Sequence, residues 1–275
     1  MQRLDDLSAF DWIANGRSPL PSAFDKAVGI PVSTCLPRGY PAYCKIFPAV
    51  YEDLLVTDHT IGLDEYRRRR ADELRQAGYD SRDANITAGR EGQALWEALR
   101  KEPEPDPTRF QRVRMQTIAS RYGVPFHPSF SVESLRSAFN DRIWPRYLMG
   151  PGEGSLDYAT CERLARLLEP FTDESGCFFY WWFLATTDWN GGDLLYQGRL
   201  RDILGTFSWD TVRLNPTYWW PSDRSWCVCS DYDLTFTLVA GSNELVATLI
   251  GDAVLECVRV SGDSRVDDWA DQVNS

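Results

Sequence analysis

The sequence predicts an α+β protein: a mixed sheet, a helical middle region and a C-terminal unit of strand, strand, helix and strand. Three observations carry this. Between residues 63 and 169 apolar side chains recur at helical spacing. From residue 177 onward, short aromatic and β-branched runs alternate with turn signals. Near residue 243 the period returns to helical for one short stretch between two strand-like ones. The chain has 275 residues, 43% hydrophobic and 25% charged, which is the composition of a packed globular protein. Residues 1–275 are read as one domain with a helical insertion at about 60–107, because the N-terminal part has too few strands to close a core of its own.

In chain order, Leu4, Leu7, Phe10 and Trp12 or Ile13 suggest a short amphipathic helix ending near Asn15-Gly16. Residues 18–48 hold six prolines and read as short strands and turns. Within them residues 42–47 alternate, with Tyr43, Lys45 and Phe47 on one face and Cys44 and Ile46 on the other. Residues 63–77 form a helix stopped by Gly78, whose arginine run, Arg67 to Arg70, reads as a solvated face balanced by neighbouring acids. A helix over 93–100 leads to KEPEPDPTR at 101–109, an extended, proline-punctuated segment. Thr108 is placed to cap a helix over 109–122, and Ser131 or Ser134 opens another through Phe139.

Residues 156–169 make an amphipathic helix stopped by Pro170. CFFYWWFLAT at 177–186 reads as a buried strand, followed by the turn DWNGG. Strands are expected at 225–230, 234–240 and 255–260, with a helix over 243–250 capped by Ser242 and an acidic tail over 263–275.

A net charge of −11 opposes a phosphate backbone, so no nucleic-acid partner is expected. No run is long and apolar enough to span a bilayer, and the first residues lack a basic segment followed by an apolar core, so neither a membrane nor an export signal is expected. Seven cysteines without a paired framework suit a reducing, cytoplasmic setting. Cys227 and Cys229 share one side of a strand, a spacing unlike that of a zinc or redox motif. The two histidines, His59 and His127, lack a second ligand at helical spacing, so no metal or cofactor is expected. Neither glycine-bearing turn, at 150–154 or 190–192, has a phosphate-cradle frame.

The stretch at 215–242 concentrates the candidate site residues. Trp219, Trp220 and Trp226 offer flat surfaces, and Asp223 and Arg224 put a charged pair on the turn begun by Pro221. Together they read either as a ligand or partner site or as the aromatic edge of a core, with Arg224 held by Asp231 or Asp233. A second cluster, Arg38, Tyr43 and Lys45, completes a pocket if it faces that turn.

The pieces RGYPAYCKIF, QTIASRYGVPFHPS, GEGSLDYATCERLARLL, CFFYWWFL, DWNGG and YWWPSDRSWCVCSDYDLTFTLVAGSNELVATLIGD, with LECVRV after them, occur in that order. In this the chain resembles a widespread set of bacterial proteins that has no assigned activity, most strongly at W-W-P-x-D-R-S-W. The insertion at 62–100 departs from the pattern. So does Phe47-Pro48, where the pattern has a histidine before the proline. The resemblance implies a shared fold and no chemistry.

The functional expectation is a cytoplasmic acidic binding protein, such as an inhibitor or immunity protein for a basic partner. The alternative is a small-molecule enzyme or ligand-binding protein using an aromatic pocket lined by Trp219, Trp220, Asp223 and Arg224.

Overall fold

The computed structural model describes residues 1–20, 29–267 and 269–274. The portion of the proline-rich stretch at 21–28 and positions 268 and 275 of the acidic tail lie outside the described residues. The described strands and helices are β1 (Gln2–Leu4), α1 (Asp11–Gly16), β2 (Ala42–Phe47), β3 (Val50–Asp53), α2 (Leu63–Gln76), α3 (Ser81–Lys101), β4 (Phe110–Val113), α4 (Met115–Arg121), α5 (Val132–Arg136) and β5 (Leu148–Met149). They continue with α6 (Tyr158–Leu168), β6 (Cys177–Trp181), β7 (Leu194–Gly198), β8 (Tyr218–Pro221), β9 (Cys227–Cys229), β10 (Thr237–Gly241), α7 (Asn243–Ile250) and β11 (Glu256–Val260). The class is α+β.

Eight strands form the main sheet in the order β1-β7-β6-β8-β9-β10-β2-β11. The expected β9-β10-α7-β11 unit is present. Its strands β10 and β11 run parallel across the α7 crossover, as a mixed sheet requires, but β2 slots between them and pairs antiparallel with both. Every described strand pair is therefore antiparallel, and the sheet is not mixed. The first residues differ from expectation too: Gln2–Leu4 is an edge strand on β7, and a 3-10 turn at Ser8–Phe10 leads into α-helix only from Asp11.

Alternation along the strands sends side chains to two cores. Cys44, Ile46, Phe179, Trp181, Trp219, Val228 and Val239 face α6, α7 and the 3-10 run Leu200–Ser208. Tyr43, Tyr180, Tyr218, Trp220, Cys227, Cys229 and Leu238 face the opposite way, onto Phe10, Ile13, Val32 and Leu36. Helix α7 has the expected bounds, and Ser242 Oγ accepts from Leu245 N at 3.0 Å.

The chain runs from β2 through Pro48 and Ala49 into a second, three-stranded sheet of order β4-β3-β5, packed on α4 and α5. The single helix expected over 109–122 is instead β4 followed by α4. Phe110–Val113 pairs with β3, so a partner strand some sixty residues earlier overrides local helical spacing. Thr108 does not cap it; its hydroxyl donates to Asp106 at 2.7 Å within the loop.

Between the paired strands β3 and β4 the chain makes an antiparallel hairpin of α2 and α3. Asp80 caps α3 by accepting from Arg82 N at 2.8 Å and Asp83 N at 2.9 Å, so this helix starts twelve residues before the expected Gln93. Ala71 and Leu74 pack on Ala84 and Ala88. The arginine run is spent on acids: Arg68 and Arg69 meet Glu65, and Arg70 forks onto Glu91 at 2.8 and 3.1 Å. Among the described residues, no helix is long and apolar enough to cross a membrane.

Candidate functional site

The two expected site segments touch, but not as a pocket. Tyr40 donates its hydroxyl to Arg224 O at 2.8 Å, which joins the 38–45 stretch to the 221–226 turn. The side chains around that bond diverge. Trp219 and Trp220 are adjacent in β8 and so point to opposite faces of the sheet, each 1% exposed. Trp226 is fully buried, edge-on to Trp219 at 5.8 Å, with its indole nitrogen donating to Thr172 Oγ1 at 3.1 Å. Trp220 stacks on Phe178 at 5.5 Å. These three tryptophans are core residues and line no common cavity.

The charged members separate as well. Arg38 is exposed and donates to Ser18 Oγ at 2.8 Å. Tyr43 is buried and donates to Pro37 O at 3.0 Å. Lys45 is buried near the opposite end of its strand, beside Phe47 and Phe236. Asp223 accepts from Ser225 N at 3.0 Å, closing the exposed turn. Arg224 sits at φ +59° with its guanidinium 5.1 Å over the Trp12 ring, and has no ion pair to Asp231 or Asp233.

Asp231 and Asp233, expected to hold Arg224, lie instead at the other end of the sheet. The 182–193 connection, the 209–217 segment and the 230–236 turn all meet there, because β6 ends, β8 begins and β9 ends on that side. Trp189 is 57% exposed and Trp182 36% exposed. Trp182 packs edge-on against Tyr232 at 5.4 Å, and Arg213 lies 5.6 Å over Trp189. An isolated bridge between Thr186 and Val212, and the bond from Thr187 N to Thr211 O at 3.1 Å, hold Asp188 and Asp210 on neighbouring strips of chain. Among the described residues, Asp188, Asp193, Asp210, Asp231 and Asp233 have no ion pair within 4.0 Å. Burial and the nearby Asp233 charge push the Asp231 carboxyl up, against the backbone bond from Asp233 and the more distant Arg17.

Beneath this end lies a polar cluster on the Trp220 face of the sheet. Arg17, just past α1, donates Nη1 to Tyr218 Oη at 2.6 Å, while its Nε is sealed and unbonded. Alternation places Tyr218 and Cys229 opposite each other in the β8–β9 register. Cys35 follows the 3-10 turn Val32–Thr34, contacts Thr34 Oγ1 at 3.8 Å and packs against the same core cluster as Cys229. The common face of Cys227 and Cys229 was legible in the sequence, whereas the strand that carries Tyr218 was not expected. Arg17 and Cys35 are too distant in the chain for any spacing to have placed them there.

The histidines do not join either region. His59 stacks on Tyr147 at 4.1 Å, and His127 sits 3.1 Å from Asp271 in the packing of the C-terminal segment. Among the described residues, no group of three or more His, Cys, Asp or Glu is placed to hold a metal ion. No protein-family model, curated protein or solved structure matches the chain.

Proposed function

We propose that the chain is an acidic binding protein that docks a basic protein partner on the sheet end carrying Trp182, Trp189 and Tyr232, in the manner of an inhibitor or immunity protein. The observation that carries this is the setting of Trp182 and Trp189, both exposed. They stand among five aspartates that lack ion pairs among the described residues, on a chain of net charge −11. Exposed aromatic rings supply rigid contact area, and unpaired carboxylates around them steer and pair with lysine and arginine. A cytoplasmic location fits this reading. The alternative, a small-molecule site lined by Trp219, Trp220, Asp223 and Arg224, lacks support because the two rings are buried on opposite faces.

The test is a titration of the full chain against basic proteins encoded beside it, at low and high salt. Binding that weakens steeply with salt, and at least tenfold on Trp189→Ala or on Asp188→Asn with Asp233→Asn, supports the reading. Equal affinity of these variants, or the absence of any salt-sensitive basic partner, removes it.

A further inference from the structure

We propose that the cleft between the end of α3 and the 206–215 segment binds a small oxyanion, a phosphate either free or carried on a metabolite. The inference is independent of the docking surface above, since it calls for an anion where that surface calls for a basic partner. It starts from the charge of the walls. The cleft encloses about 200 Å³ of empty space, part of it open to solvent, and its lining includes three cations, Arg100, Lys101 and Arg213. No acid lines it, although the chain as a whole carries a net charge of −11.

The floor of the cleft is built from buried polar groups with donors to spare. Arg100 is 3% exposed, a burial that a guanidinium tolerates only when its N–H groups are met. Its Nε donates to Glu97 at 2.8 Å, Nη1 to Ser155 Oγ at 2.9 Å and Nη2 to the carbonyl oxygen of Arg213. A guanidinium has five N–H groups, so two remain for a ligand. Beside it Asn215 is 4% exposed, and its Oδ1 accepts from Leu156 N at 2.6 Å and from Ser155 Oγ at 3.3 Å. Those bonds fix which end of the amide is the acceptor. Its Nδ2 meets no acceptor among the described residues and is not sealed off, so the donor end opens onto the cleft that Asn215 lines.

At the mouth, Lys101 and Arg213 are exposed, and neither has an ion pair among the described residues. Arg213 is positioned without being neutralised: Nη2 donates to Leu184 O at 3.1 Å, and the guanidinium lies 5.6 Å over the Trp189 ring. Lys101 also complements the C-terminal dipole of α3, but that role accounts for neither Arg213 nor the open amide of Asn215. Thr206 adds no donor, because its hydroxyl proton goes to Ile203 O at 2.6 Å. A phosphate suits this set. Its oxygens accept from Arg100 and Asn215 on the dry floor, where charge-assisted bonds are strongest, and its second negative charge meets the two exposed cations.

The experiment is a calorimetric titration of the full chain at pH 8 with inorganic phosphate, with glycerol 3-phosphate and with sodium chloride, at matched ionic strength. The expected result is one saturable site for phosphate and none for chloride. Tighter binding of glycerol 3-phosphate than of inorganic phosphate assigns the site to an esterified phosphate, and weaker binding assigns it to the free ion. Arg213→Gln and Lys101→Gln, both at exposed positions, each weaken phosphate at least fivefold. Arg136→Gln, which removes the same charge from α5 outside the cleft, leaves the affinity within twofold. Asn215→Asp keeps the acceptor for Leu156 and replaces the amide donor by a carboxylate oxygen, so it abolishes binding. The absence of a saturable phosphate site, or an equal affinity in the wild type, Arg213→Gln and Lys101→Gln, overturns the proposal, as does an equal loss in Arg136→Gln. No titration includes a protein partner, so failure here leaves the docking surface untouched.

Discussion

Lys45 donates its Nζ to the backbone oxygen of Phe130 at 2.6 Å from a position where only 2% of the residue meets solvent. The ammonium lies 5.0 Å from each of the Phe47 and Phe236 rings and, among the described residues, has no carboxylate within ion-pair distance. Burial therefore brings its pKa down to about 7, against a smaller upward pull from Asp271. The lysine expected to line a ligand site is a core residue that gives up its proton on folding near neutral pH.

A pH dependence follows with a definite sign. Between about 7 and the ordinary lysine value of 10.5, the unfolded chain holds a proton that the folded chain releases. Lys45 therefore makes the fold more stable as pH rises through that window, by at most about 1.4 kcal/mol per pH unit, and its cost is constant below it. Urea unfolding of the wild type and of Lys45→Met at pH 6, 8 and 9.5 isolates the effect. The stability difference should move in favour of the wild type as pH rises, and a flat difference would discard the assignment.

Glu256 makes the opposite kind of buried charge. Its two oxygens accept from Met115 N at 2.6 Å and Gln116 N at 2.7 Å, capping α4 from a strand far away in sequence. Burial nevertheless raises its pKa above 4.5, with those two bonds and Arg114 and Arg112 opposing. Below 4.5 its contribution to stability is complete, and it declines as pH rises through the raised folded value. Glu256→Ala strands the buried Met115 amide and the partly buried Gln116 amide and should cost about 2 to 3 kcal/mol in urea unfolding at pH 7. Glu256→Gln should cost about half of that and should flatten the decline above pH 4.5.

The same residue shows why one part of the fold was legible and another was not. Ser242 and the apolar period after it sit together in the chain, so the bounds of α7 follow from local spacing. The start of α4 does not, because its cap is Glu256 and the strand before it is fixed by β3. Residues 42–47 were readable for the same local reason as α7, since alternation alone divides Tyr43 from Cys44. At the candidate site, alternation also puts Trp219 and Trp220 on opposite faces, and their abundance of aromatic surface argued for a pocket only while that geometry was left out. The acidic rim and the Arg17 to Cys35 cluster are assembled from segments far apart in sequence, which no window of residues contains.

Asp53 is held between two arginines, with Arg109 Nη2 at 3.2 Å and Arg146 Nη2 at 3.5 Å, and its own side chain is 1% exposed. Arg146 is nearly buried and lies 4.4 Å over the Tyr66 ring, so it ties the start of α2 to the second sheet. Asp53→Asn leaves the Arg146 charge uncompensated in a place water barely reaches. The expected loss is about 3 kcal/mol, measured by urea unfolding. A loss under about 1 kcal/mol would show that Tyr66 and Met149 suffice to hold Arg146.

The tryptophan turn separates core from surface within eight residues. Trp219 is 1% exposed and its indole nitrogen has no partner among the described residues, so its contribution is packing rather than hydrogen bonding. Trp219→Ala should cost about 3 to 5 kcal/mol, whereas Trp219→Phe, which keeps a ring and leaves no polar group unpaired, should cost about 1 to 2. Asp223→Ala should fall within about 0.5 kcal/mol of wild type, because its carboxylate is exposed and closes only its own turn. Arg224→Gly should be neutral or slightly stabilising, since glycine relieves φ +59° and leaves the carbonyl that Tyr40 bonds in place. Thermal unfolding of the four variants ranks them. If Arg224→Gly were the most damaging, the guanidinium would have a structural role that its 5.1 Å contact with Trp12 does not account for.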